Sequence, residues 1–165
     1  MANLITEQKI IDSTKRSLLK YVIISDGTQD ANTLLVDASS LGFSLNANGY
    51  IMTGGVHPKS NYRTTVKRIL CNLSTPGAHI RLKWHGDSNS DIVTCSSGTT
   101  DYNFTGTIDS STLSNPETNA TGDILITTKG FDANTVATII IDLKKDNRDY
   151  DAGQTADPYA FNRIP

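Results

Sequence analysis

Little in this chain points to chemistry, and each scarcity closes a class of function. Among 165 residues there are two cysteines, Cys71 and Cys95. Neither lies in a CxxC or a Cys/His cluster, which removes the usual zinc and dithiol spacings. Two buried thiols acting as small hydrophobes, or a disulfide between neighbouring strands, are left. The histidines are His57, His79 and His85. The last two share one face of an extended stretch, but six residues separate them by about 20 Å, too far to hold one ion. No metal site and no cofactor is expected. Charge of one sign is also missing, with 15 basic against 17 acidic residues, so nothing draws the whole chain to nucleic acid or an acidic membrane. No apolar run approaches the about 18 residues of a membrane span. The opening MANLITEQKIIDSTKR has no apolar core for a signal peptide, so synthesis in the cytoplasm is the expectation. GxSxG, P-loop and GxGxxG fingerprints do not occur. The Asp87 to Asp91 segment, DSNSD, lacks the ligand spacing of a calcium loop. A non-enzymatic protein is expected.

What the chain does have is alternation. Charged residues are 19%, below the usual quarter, while Ser, Thr, Asn and Gly abound, a profile of turn-rich β structure with uncharged polar surfaces. Around the centre, Val66 to Leu73 alternates and ends at the Ser74 to Gly77 turn, Ser-Thr-Pro-Gly. His79 to His85 follows with Ile80, Leu82 and Trp84 on one face and His79, Arg81, Lys83 and His85 on the other. The short turn predicts that these two stretches pair as a hairpin, with Asp91 to Cys95 as a third strand of a meander. Ser17 to Ser25 reads as a strand, and the Asp26 to Ala31 loop predicts a second hairpin to Asn32 to Ala38. Further strands are expected at Leu41 to Leu45, Thr99 to Ile108 with a bend at Gly106, Gly122 to Thr128 and Thr135 to Leu143. With about eight strands and little helix, the predicted fold is all-β, a single antiparallel β-sandwich, jelly-roll-like, with extended N- and C-terminal arms.

The domain reading is an N-terminal arm or short helix over residues 1–16, a sandwich over 17–145 and an extended tail over 146–165. Asn46 to Asn61 is a long excursion with four glycine or proline residues and several large apolar ones. A subunit-contacting loop, a locally packed loop and a small-ligand site are its three readings. The tail has no period, and its isolated aromatic residues suit either disorder or anchoring on another subunit. Candidate subunit contacts are therefore Tyr50, Met52 and Tyr62 near the loop, and Tyr150, Tyr159 and Phe161 in the tail. Lys67, Arg81 and Lys83, with Arg63 and Lys59 upstream, suggest a small basic patch if Lys67 lies beside Arg81 or Lys83. Salt bridges to Asp87, Asp91 or Asp101 are the plainer account.

KRSLLKYVIISDGTQDANTLLVDASSL (Lys15 to Leu41), VKRILCNLS with HIRLKWHGD, and GDILITTKG followed by TIIIDLKK resemble a loosely defined group of small virion structural proteins of tailed bacteriophages. The resemblance covers most of residues 15–145 and includes no catalytic signature. It implies a β-rich, non-enzymatic protein on the capsid surface or in the neck or tail. It also implies partners among copies of itself and other virion proteins such as the major capsid protein, and a place in the virion after assembly in the host cytoplasm. Capsid decoration and a neck or tail ring are the two positions it leaves open. A carbohydrate- or surface-binding β-sandwich module, taking a glycan, is the alternative class. It needs Trp84, or Tyr50 with Tyr62, at the surface.

Overall fold

The computed structural model describes residues 3–51, 59–105 and 114–150. Among these, nine strands build two antiparallel sheets: β1 (Leu4–Asp12), β2 (Arg16–Asp26), β3 (Thr33–Val36), β4 (Thr64–Leu73), β5 (His79–Trp84), β6 (Asp91–Ser96), β7 (Gly98–Asn103), β8 (Ile124–Lys129) and β9 (Ala133–Lys145). One sheet has the order β1-β2-β9-β4-β7 and the other β3-β8-β5-β6. The all-β sandwich expected from the two-residue period is the fold. Leu19, Tyr21 and Ile23 of β2, Ile139, Ile141 and Leu143 of β9, and Ile80, Leu82 and Trp84 of β5 all turn into one core. Burying apolar side chains of this size contributes roughly 1.5–3 kcal/mol each, which is why the alternation decides the layer structure.

Pairing is nested. β2 lies beside β9, β3 beside β8, β4 beside β7 and β5 beside β6, so early strands meet late ones. The two expected hairpins therefore do not form. β2 and β3 belong to different sheets, as do β4 and β5. A connection of five or six residues is long enough to cross the about 10 Å between sheets as well as to fold a strand back on itself. Burial chose the crossing, because each partner has its own apolar face to cover. The β5–β6 hairpin does form, and a second runs from β1 to β2, closed by Ser13 N–H donating to Arg16 O at 2.8 Å. Between β6 and β7 the chain changes sheet across one residue. Gly98 makes that corner at φ +89, a conformation that costs a side-chain-bearing residue strain.

The N-terminal stretch is neither arm nor helix. Leu4–Asp12 is an edge strand in register with β2, bulged between Lys9 and Ile11. Leu41 to Leu45 makes isolated bridges only, Ser44 with Tyr150 and Leu45 with Ile51. Residues 46–51 form a tight turn in which Asn46 N–H donates to Tyr50 O and the Asn46 side chain accepts from Asn48 and Tyr50. The 146–150 end of the expected tail folds back on the body, Asp146 N–H donating to Arg63 O. The bend expected at Gly106, the rest of the long loop from Met52 to Pro58 and the tail beyond Tyr150 lie outside the described residues.

Candidate functional site

Two regions stand apart from an ordinary sandwich surface. The first is a buried polar knot where β1, β2 and β9 meet. Alternation along β9 carries the inward row Ile139, Ile141, Leu143 on to Lys145, so the lysine enters the core with a fully covered side chain. Its Nζ donates to Asp12 Oδ1 at 2.5 Å, Ser13 O at 2.8 Å and Gly42 O at 2.8 Å, using all three donors. The Tyr150 ring centroid is 5.1 Å from the same nitrogen. Asp12 also accepts from Ser17 Oγ and Gly42 N–H, both at 2.7 Å. Burial pushes the Asp12 carboxyl up, but the bonds from Lys145, Ser17 and Gly42 outweigh it and hold it below its ordinary range. Burial lowers Lys145, and Asp12 restores only part of that. With every donor engaged the knot ties the β1–β2 turn and the end of β9 to Gly42. It offers no free base or nucleophile.

Beside the knot is a cleft of 370 Å³ whose walls include Arg63, Glu117 and Arg148. These groups already have partners. Arg63 forks onto Asp149 at 2.7 and 3.0 Å, Arg148 pairs with Asp146, and Glu117 accepts from the Ser88 and Ser90 backbone. Catalysis needs convergent groups left poised for a proton, whereas Arg63, Arg148 and Glu117 are each already engaged. Among the described residues no three His, Cys, Asp or Glu side chains come together to hold a metal ion. No helix among them is long and apolar enough to cross a membrane.

The second region is the outer face of the five-stranded sheet. Strand register fixes its cross-strand rows. Lys20, Ile140, Leu70 and Asp101 form one row across β2, β9, β4 and β7, and Leu18, Asp142, Arg68 and Asn103 form the next. On the other side of the first row lie Val22, Thr138, Asn72 and Thr99. At the end of the sheet Leu4, Ile24 and Val136 stand side by side, 61%, 43% and 40% exposed. A groove of 160 Å³ runs between Leu18, Leu70 and Ile140, walled by Arg16, Arg68 and Asp142. Two forked ion pairs frame it: Arg16 on Asp142 at 2.8 and 2.9 Å, and Arg68 on Asp101 at 2.9 and 2.6 Å. Contiguous apolar surface rimmed by polar groups is what a contact surface looks like before its partner arrives.

The residues named from sequence are distributed otherwise. Tyr62 and Tyr150 are buried at 1% and 0% exposure, their rings 5.7 Å apart, and their hydroxyls donate to Leu45 O and Ala38 O. Both rings belong to this chain's own core and leave nothing at the surface for a neighbour. Gly122 lets that core close, since a side chain there would run into the Tyr62 carbonyl. Tyr50 is half-buried, while Met52, Tyr159, Phe161 and His57 lie outside the described residues. Trp84 is fully buried. His85 sits 3.0 Å from Thr121 Oγ1 and 3.5 Å from Asp123. The basic patch does not assemble, because Lys67 is on one sheet and Arg81 and Lys83 on the other. Arg81 takes Asp91, one of the expected salt bridges, and Arg68 takes Asp101. Cys71 and Cys95 are free, buried thiols in contact between the sheets, and that contact with burial pushes Cys71 up. Sequence reasoning missed Lys145 and the outer rows. A lysine continuing the inward parity of TVATIIIDL was the available signal for the first.

Against known proteins, the chain matches no family model, no curated protein and no solved structure.

Proposed function

We propose that this chain is a non-enzymatic structural protein of a virus particle, built to be used in many copies. More narrowly, we place it in the virion of a tailed bacteriophage, as capsid decoration ahead of a neck or tail ring, with copies of itself and the major capsid protein as partners. The observation that carries the reading is the nested pairing of β2 with β9, β3 with β8, β4 with β7 and β5 with β6. We read that winding as jelly-roll-like, an architecture that viral capsid domains share with lectins and cupins. Fold alone does not choose among those uses. The apolar, ion-pair-framed outer face favours assembly. The glycan-binding alternative loses its best platform with Trp84 inside the core. Catalysis finds little support in a cleft whose arginines and glutamate are already engaged by their own neighbours.

Imaging the particle with which the chain co-purifies tests this directly. Many copies spread over the shell are the expected result. A single ring of copies at one vertex would shift the reading to the neck or tail, and recovery only as free protein, never with particles, would overturn it.

A further inference from the structure

Two central rows on the outer face of the five-stranded sheet carry a charge pattern that bears on what covers it, while the Arg16, Lys144, Thr65 row at one end carries cations alone. Across β2, β9, β4 and β7 one row reads Lys20, Ile140, Leu70, Asp101, a cation and an anion flanking two apolar side chains. The adjacent row reads Leu18, Asp142, Arg68, Asn103. Reversing either row exchanges every cation with an anion and leaves apolar opposite apolar in the first. That is self-complementarity, the requirement of an isologous two-fold contact.

We infer that this face docks on the same face of a second copy, about a two-fold axis running along the strands between β9 and β4. In that arrangement β9 of one copy lies over β4 of the other, and β2 over β7. Ile140 meets Leu70, Lys20 meets Asp101, and Asp142 meets Arg68, each twice. The forked pairs Arg16–Asp142 and Arg68–Asp101 within each chain become parts of charge networks that continue across the contact. The uncharged row Val22, Thr138, Asn72, Thr99 reverses onto itself without placing like charges together. Four overlapping strands give a flat footprint of about 20 Å by about 30 Å, the same order as the about 800 Å² per partner of a specific interface. Two sheets stacked this way keep their strands roughly aligned, the ordinary packing of sheet on sheet. The outer face of the other sheet could not pair with itself so. Its row Leu34, Leu125, Lys83, Asp91 reverses with Asp91 over Leu34 and Lys83 over Leu125, which sets each charge against an apolar side chain.

The inference deepens the assembly reading and rests on its premise that this face is covered. Sedimentation of the purified full chain over a range of concentrations is the test, with Lys20→Asp, Asp101→Lys and the double exchange alongside, each checked for an unchanged far-ultraviolet spectrum. The wild-type chain should form a dimer. Each single variant puts like charges together and should weaken it by about tenfold or more, and the double exchange should recover most of the loss. A wild-type chain that stays monomeric at all concentrations overturns the pairing, even if particles hold many copies. So does a double exchange no better than the singles. Association that appears only after residues 151–165 are removed would put the chain's own tail on this face and also overturn it. A dimer that never joins particles upholds the pairing and removes the virion reading alone.

Discussion

The two faces of the five-stranded sheet are made from the same strands one residue apart, yet they have opposite fates. Along β2, Leu19, Tyr21 and Ile23 point inward and are sealed by the second sheet, whereas Leu18, Lys20, Val22 and Ile24 point outward. Along β9, Ile139 and Ile141 are buried, and Ile140 between them faces out. The inner face is apolar because it has a partner in the same chain. The outer face is apolar at its centre and charged at its flanks, the composition of a surface that meets its partner after folding. The four-stranded sheet supplies the contrast. Its outer side exposes Arg81 and Thr94 and carries half-buried Lys83, with its apolar residues Leu34 and Leu125 confined to the β3 side. Inward substitutions should therefore strike folding of the monomer, and outward ones association.

The sharpest break should come from inside. Asp12→Ala strands a buried ammonium at Lys145, and losing one partner of a buried ion pair costs about 3–5 kcal/mol. Denaturant unfolding measures it, and a loss comparable to that at an exposed ion pair would contradict the knot's role as a clamp. Trp84→Ala should destabilise by about 3–5 kcal/mol for the same inward placement, read from the melting curve. An unchanged melting temperature would mean that the ring is not in the core. Tyr150→Phe removes only the hydroxyl bonded to Ala38 O, so a smaller loss of about 1 kcal/mol is expected. On the outward side, Ile140→Glu should leave stability within about 1 kcal/mol, while abolishing any dimer seen by sedimentation. Equal dimerisation of variant and wild type would mean that the face is not the contact.

Acid should loosen the inner clamp. The Arg148 guanidinium holds Asp146 down at about 2. Asp149, though burial raises it, is kept below its ordinary range by Arg63, as Asp12 is by Lys145, Ser17 and Gly42. A carboxyl whose folded value is depressed stabilises fully above its unfolded value and loses that contribution as pH falls through the folded one. Melting temperature should thus be level down to about pH 4, the ordinary carboxylate range, and fall from there toward pH 2. A flat profile across that window would show that these pairs contribute nothing to folding.

The fold was readable where parity was readable. Ile80, Leu82 and Trp84 announce their buried side in the sequence because a strand's period is two, and β5 follows suit. Partner choice was hidden, since the Ser74 to Gly77 turn permits a hairpin and a crossing equally and only the completed core selects between them. Leu4 to Asp12 looked helical or loose because its apolar residues do not alternate cleanly. The bulge between Lys9 and Ile11 accounts for the adjacent Ile10 and Ile11, while Leu4 and Ile5 lie in regular register. Tyr62 and Tyr150 drew attention as aromatics near irregular stretches, and such stretches hide whether a ring turns in or out. The outer-face pattern could not be seen in any one segment. Lys20, Leu70, Asp101 and Ile140 come from four strands and become neighbours only through the nested pairing.

Thiol labelling reports most directly whether the outer face of the five-stranded sheet is covered and that of the four-stranded sheet is not. Cys71 and Cys95 are buried, so Ile140→Cys and Thr94→Cys each place one accessible thiol on one of the two faces. A maleimide should label both quickly in dilute chain. In the associated form, labelling at position 140 should slow sharply while position 94 stays fast. Equal labelling at both positions in the associated form would leave the face bare and contradict the account.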